Sequence, residues 1–471
     1  MLFSSTTFIY IFLPSVIFVY YVFLRKNRLF QNLFLLLSSL LFYSWGEPKF
    51  VFIMMASIVI NWLFGLIIQK KRGEIISKIA LILDIIVNIL LLFVFKYLTF
   101  SILIIRKLTG IELHDLSIAL PIGISFFTFQ AMSYVIDIYR QNGEAQTNLL
   151  NVGLYISFFP QLIAGPIVRY ENVANEIQNR IETYDDFFDG FARFVVGLSK
   201  KVLLANSFAV IADQAFDSVN NTGSISALFG WLGAIAYTLQ IYYDFSGYSD
   251  MAIGLGKMFG FHYQENFNYP YISTSISEFW RRWHMSLGTW FRDYLYIPLG
   301  GNRCSKRRNI FNLFVVWTLT GLWHGANFTF LVWGLMYFVL LTIEKNAGIL
   351  NLKGQIWHAF KWIYTMFFVI IGWVIFRSDS LHEAIIYMKN MFLMNGNSVS
   401  DEIFIGWFSQ NYILLLIGVI LCMPVSKLIS VRTKDCMIAK VAGATGLCCL
   451  FVLSLACLIG SSYNPFIYFN F

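Results

Sequence analysis

Charge is the scarcest commodity in this 471-residue chain: Asp, Glu, Lys and Arg together make up 13% of it, against 58% hydrophobic residues, where an average soluble domain is about one-quarter charged. That balance all but excludes a water-soluble fold. Cysteine is also sparse. The six residues, Cys304, Cys422, Cys436, Cys448, Cys449 and Cys457, fall mostly in late apolar segments, where Cys behaves as a small hydrophobe, so neither a disulfide framework nor a metal site is expected. No Pro/Gly/Ser-rich linker of useful length and no inverted repeat of the transporter kind interrupts the chain. One continuous membrane domain over 1–471 is the expectation, with N-terminal helices over 1–117, a core carrying the active site over 118–345 and C-terminal helices over 346–471. The first apolar run starts near Thr7 without a basic leader or a small-residue cleavage site, which reads as a retained helix.

What is present in abundance is long apolar stretches. Runs such as 58–68, 79–95, 412–421 and 441–459 recur along the sequence, and a span needs about 20 mostly apolar residues, which gives about eleven spans in an all-α polytopic membrane protein. The net charge of +8 lies between these runs, as the positive-inside rule expects. Arg25-Lys26-Asn27-Arg28 follows the first run and Lys70-Lys71-Arg72 the third, while the link 46–49 is nearly neutral. The N-terminus is therefore expected outside the cytosol.

Between about 121 and 261 the apolar stretches carry many Gly, Pro and polar residues, which in a bilayer must be satisfied within protein or a wet cavity. Gly165-Pro166 breaks any helix there and points to a re-entrant piece, with Arg169 placed to bind an anion or reach head groups. The less hydrophobic stretch 265–309 follows. Residues 280–310 hold seven Arg/Lys and one acid, which places them at the cytosolic face. On a helical wheel, Phe279, Trp280, Trp283, Leu287, Trp290, Phe291 and Tyr294 fall within about 120°, with Arg281, Arg282 and Arg292 opposite, as in an amphipathic interfacial helix. His284 then sits at the boundary of the two faces.

Two of the six histidines stand apart: His284 in FWRRWH and His324 in LTGLWHGAN. A span starting at Asn309 puts His324 roughly 22 Å along its axis at about 1.5 Å per residue. An ionisable group at that depth faces a partner or a water-filled cavity and suits acid/base chemistry; a neutral imidazole bonded to a neighbouring helix is the plainer alternative. For His284 the plainer alternative is solvation or head-group contact. Asp244 and Asp250 in QIYYDFSGYSDMAIGLG, with Gln240 and Tyr248, either orient a histidine or hydroxyl or form a structural network. The glycines of that stretch lack the strand-turn-helix setting of a nucleotide loop. The arginines beside His284 suit the phosphates of coenzyme A or anionic lipid equally.

Taken together, LPIGISFFTFQAMSYVIDIYR at 120–140, FFPQLIAGPIVRY at 158–170, YYDFSGYSDMAIGLGKMFGF at 242–261, NFNYPYISTSISEFWRRWHMSLGTWFRDYLYIPLGGNR at 266–303 and LTGLWHGAN at 319–327 strongly resemble the membrane-bound O-acyltransferase superfamily, in particular its bacterial alginate O-acetylation branch. The resemblance takes in the opening MLFSSTTFIYIFLP and LFYSWGEPKF and weakens after about 380. It implies a helical bundle around a central funnel, His324 as the active-site residue and a supporting role for His284. Arg281, Arg282, Trp280, Trp323, Asn327 and Asp244 are the candidate substrate-binding residues. It further implies acetyl-CoA as donor substrate with no bound cofactor, a bacterial plasma-membrane location, a cell-surface polysaccharide acceptor and an extracytoplasmic serine-hydrolase-like (SGNH) partner. The ending PFIYFNF is similar to that of small helper peptides of D-alanylation systems, which makes Tyr468 a candidate acyl carrier or, more simply, an aromatic membrane anchor. On this reading a neutral His324 takes a proton from an acceptor hydroxyl that attacks the acetyl-CoA thioester. D-alanyl transfer toward teichoic acid, a proton-coupled transporter or flippase, and a scaffold for a soluble transferase are the alternatives.

Overall fold

The computed structural model describes all residues except 112–117, 349–353, 433–435, 461–462, 466 and 468–471, and among the described residues it contains helices and no strand. Among the described residues seven helices are long and apolar enough to cross a membrane, and a shorter apolar piece covers Phe8–Phe23. Apolar runs alone suggest about eleven. The difference lies in runs whose helices are short, such as Arg28–Ser44 with 17 residues and Ile124–Tyr139 with 16, or carry charge, as in Lys306–His324, which opens on Lys306, Arg307 and Arg308.

The chain divides into two units, Met1–Phe194 with Tyr248–Gln264, and Val195–Gly247 with Glu265–Phe471. The first contains α1 (Arg28–Ser44), α2 (Val51–Lys70), α3 (Ile75–Leu92), α4 (Ile124–Tyr139) and α5 (Leu149–Ser157). Asn27 caps α1, its side-chain oxygen accepting from the Phe30 amide at 3.2 Å, the usual way to satisfy a first-turn donor. The polar groups of the apolar α2 and α3 turn inward: Asn61 and Asn88 bond each other at 3.1 and 3.4 Å, and Asn88 also donates to Asp84. Such inward pairing is what a hydrocarbon solvent demands. Arg180, buried, donates to Asn32 at 2.7 Å and to Tyr20, while Arg28 pairs with Glu182.

The expected break near Gly165-Pro166 is present. Helix α5 stops at Ser157, a single turn covers Phe159–Leu162, and the chain then runs without helix to Arg169. A Cβ on Gly165 would lie 2.6 Å from the Gln161 Cα, so only glycine lets the backbone fold back this tightly. Arg169 is engaged by Glu171 at 2.7 Å, and Asp250 by Arg193 at 2.9 Å.

The second unit holds α6 (Asn206–Thr222), the first part of α7 (Ala227–Met258), the short α8 (Ile276–Arg282) and α9 (Met285–Phe291), α10 (Lys306–His324), α11 (Phe328–Asn346), α12 (Gln355–Arg377), α13 (Glu402–Leu421) and α14 (Met437–Gly460). The GYSDMAIGLG stretch is continuous helix within α7, consistent with its rejection as a nucleotide loop. Helices α10 and α11 form a hairpin in which Gly321 meets the Phe330 carbonyl and Gly334 the Trp317 carbonyl so closely that neither site has room for a Cβ. Small residues permit that backbone-to-backbone approach where lipid offers no hydrophobic drive for helix association. By contrast α13 and α14 bury only 6% of their most apolar windows, leaving apolar surface for hydrocarbon.

Candidate functional site

The wheel over 279–294 assumes one unbroken helix. The chain instead breaks at Trp283, which is extended, and at His284, which adopts a left-handed conformation with φ +45° between α8 and α9. The cause lies outside the local sequence. Asn266 accepts from the Met285 amide through its main-chain carbonyl at 2.9 Å, and its side-chain oxygen accepts from the Ser286 amide at 3.2 Å and the Ser286 hydroxyl at 2.9 Å. The Asn268 amide in turn donates to the Arg282 carbonyl at 2.9 Å. These bonds replace those of a continuous helix and turn the histidine inward, with its residue only 2% exposed.

The His284 ring is held in one tautomer. Its Nδ1 lies 3.1 Å from the same Asn266 oxygen, an atom identified as an acceptor by the Ser286 amide that also points at it. Nδ1 therefore carries the proton and Nε2 the lone pair. Burial pushes this imidazole down to about 3, so it is neutral at physiological pH. Phe245 lies edge-on to the ring at 4.6 Å between centroids, and Trp323 at 5.9 Å.

His324 is the last residue of α10 and is buried. Because that helix is unbroken from Lys306, the axial rise inferred from sequence holds. Trp323 packs against His324 at 4.9 Å, so one indole contacts both histidines. Trp333 of α11 and Phe376 of α12 complete the wall around His324 at 5.0 and 5.2 Å. Trp280 packs edge-on to Trp333 at 5.4 Å and Tyr337 at 4.8 Å. The aromatic side of the expected amphipathic helix thus serves as protein interior, with Phe279, Trp283 and Leu287 all buried.

The other candidate binding residues have separate tasks. Asn327 caps α11, accepting from the Thr329 amide at 3.2 Å and donating to the Asp379 carbonyl at 2.7 Å. Arg282 pairs with Glu278 at 2.8 Å and donates to the Asn268 carbonyl at 3.1 Å, whereas Arg281 is exposed and bonds the Ser277 carbonyl within its own helix. Asp244 pairs with Lys201 at 2.7 Å and accepts from the Ile467 amide at 2.9 Å. Gln240 and Tyr248 are buried. Tyr468 lies outside the described residues.

Sequence reasoning missed Asn266, Phe245, Trp333, Phe376 and Glu344. Glu344, 1% exposed, accepts from the Ile276 amide at 2.6 Å, the Ser277 amide at 3.0 Å and the Ser277 hydroxyl at 2.8 Å, fastening the start of α8 to α11. An acid in so apolar a stretch is itself a signal; nothing local marks Asn266.

An all-helical membrane architecture that buries two histidines around one tryptophan, within LTGLWHGAN and FWRRWH, defines the class. Residues 89–382 match the family model of the membrane-bound O-acyltransferases, and the chain belongs to that family: it is a multi-pass membrane O-acyltransferase. Among its relatives, it is 45% identical over 391 residues to the probable alginate O-acetylase of Pseudomonas syringae pv. tomato, covering 82% of this chain and 74% of that one. It is 39% identical to the probable alginate O-acetylase of Pseudomonas putida across the full length of both chains. It is also 33% identical to the peptidoglycan O-acetyltransferase of Helicobacter pylori, covering 100% of this chain and 98% of the other. These relatives support membrane O-acetylation as the activity.

Proposed function

We propose that this protein moves acetyl groups from cytosolic acetyl-CoA across the bacterial plasma membrane for O-acetylation of an extracytoplasmic polysaccharide. The observation that carries the reading is the buried His324 at the end of α10, linked ring to ring through Trp323 to a neutral His284. Two polysaccharides, alginate and peptidoglycan, appear in the names of the relatives, which supports a glycan as final acceptor.

In the proposed reaction His324 takes the proton of an acceptor hydroxyl. The oxygen attacks the thioester carbonyl carbon, the C–S bond breaks, and the departing thiolate receives the proton from the imidazolium. The exposed Arg281, within the basic 280–310 stretch, offers charge to the phosphates of the donor on the cytosolic side. His284 supports the site as a neutral group. The acceptor hydroxyl belongs to a serine-hydrolase-like partner outside the membrane, which passes the acetyl group to the glycan.

The test is surface-glycan O-acetylation in cells whose native copy is deleted, complemented with wild type, His324→Ala or His284→Ala at matched membrane levels. Loss of acetylation with His324→Ala in a normally folded protein is the expected result. Full acetylation with that variant refutes the catalytic assignment and favours a scaffold.

A further inference from the structure

The second unit contains a buried ion pair that the reaction above does not use. Lys201 and Asp244 lie 2.7 Å apart with side chains 3% and 2% exposed. A pair so deeply buried needs further hydrogen bonds to satisfy its remaining valences. Here they come from the far end of the chain. The Lys201 ammonium donates to the Pro465 carbonyl, and the second Asp244 oxygen accepts from the Ile467 amide at 2.9 Å. The adjoining residues are anchored as well: the Tyr463 hydroxyl donates to Asp213, itself paired with Arg377, and Asn206 reaches the Tyr463 carbonyl at 3.5 Å. Ile467 is buried.

The location gives this seating a consequence. Asp244 is followed in α7 by Phe245, the ring that lies 4.6 Å from His284. The residue that receives the C-terminal segment and the residue that supports the histidine are thus neighbours on one helix.

We propose that Lys201 and Asp244 are positioning residues that clamp the C-terminal segment through Pro465 and Ile467, and that the seated segment keeps the Asp244–Phe245 stretch in register against His284. This rests on the acetyl-transfer reading for its activity readout but not for its structural one. Seated, Pro465 and Ile467 supply further hydrogen bonds to the buried pair; released, they take those bonds away, and water or local unwinding of α7 replaces them at the expense of the histidine site.

The experiment places a reporter cysteine by Asn464→Cys in the full-length protein, in membranes, and follows maleimide labelling of that position by peptide mass spectrometry. It is combined in turn with Lys201→Met, Asp244→Asn and Ile467→Pro. The last removes the amide donor, together with the buried isoleucine side chain, while both charged residues stay in place, so it stays informative if the charge variants fold poorly. Each change is expected to raise the labelling rate at least tenfold and to lower acetyl transfer at least tenfold through kcat, with KM for acetyl-CoA moving less than twofold. Labelling unchanged in all three overturns the clamp. Labelling raised with kcat intact overturns the coupling to His284. If the wild-type chain transfers no acetyl group, the functional reading fails while the labelling still decides whether the clamp exists.

Discussion

The two histidines are buried to nearly the same extent, yet they are held by different physics. His284 is fixed by hydrogen bonds to Asn266 in a left-handed turn between two seven-residue helices. His324 ends a 19-residue helix and is walled by Trp323, Trp333 and Phe376. The side chain of Asn266 fixes which nitrogen of His284 carries the proton, whereas the aromatic rings around His324 fix where its ring lies.

The largest effect is expected from His324→Ala. If this ring is the general base, kcat for acetyl transfer falls by about 10²- to 10⁴-fold, with thermal stability in detergent little changed; a fall matched by equal loss of folded protein would undo the contrast. Next is Asn266→Ala, which removes the acceptor shared by His284 and Ser286 and is expected to cost about 1–3 kcal/mol of stability through the groups left unpaired. His324 should remain chemically competent, so residual activity above that of His324→Ala separates the two roles.

Substituting His284 itself divides conformation from chemistry. At φ +45° glycine is tolerated, while alanine meets the left-handed penalty of about 1–2 kcal/mol. His284→Gly should therefore melt higher than His284→Ala although both lose the imidazole; equal melting points would deny that the turn is strained.

The pH response of stability sharpens the comparison further. The unfolded imidazole titrates at the ordinary value of 6.5, and burial lowers the folded one to about 3. Below 6.5 the unfolded state binds a proton that the folded state refuses. The contribution of His284 is therefore fully present above about 6.5 and declines by about 1.4 kcal/mol for each pH unit on the way to 3. His284→Gly should flatten that part of the stability profile. The smallest effect is expected from Arg281→Ala: a solvent-exposed arginine contributes about 1 kcal/mol or less to an ionic contact, visible as a few-fold rise in KM for acetyl-CoA with kcat unchanged.

The membrane class, the tight Gly165-Pro166 break and the position of His324 were legible because each depends on residues close together in sequence. A low charge content excludes water as the solvent of the fold, a Gly-Pro pair cannot continue a helix, and an unbroken helix has a constant rise per residue. The helical wheel failed at His284 for a definite reason: it weighs the side chains of one segment, while the break there is stabilised by Asn266, 18 residues before His284, and by Asn268, 14 residues before Arg282.

Solvent class, helical content and family membership were thus set by composition and local pattern. Only the tertiary structure decided that Trp323 contacts both imidazoles, that Asn327 caps a helix, that Arg282 is taken up by Glu278, and that Asp244 belongs to Lys201 and the chain's far end. Hydrogen bonds and ion pairs depend on distances between atoms, and for Asp244 the partner amide lies 223 positions away, beyond the reach of any local pattern.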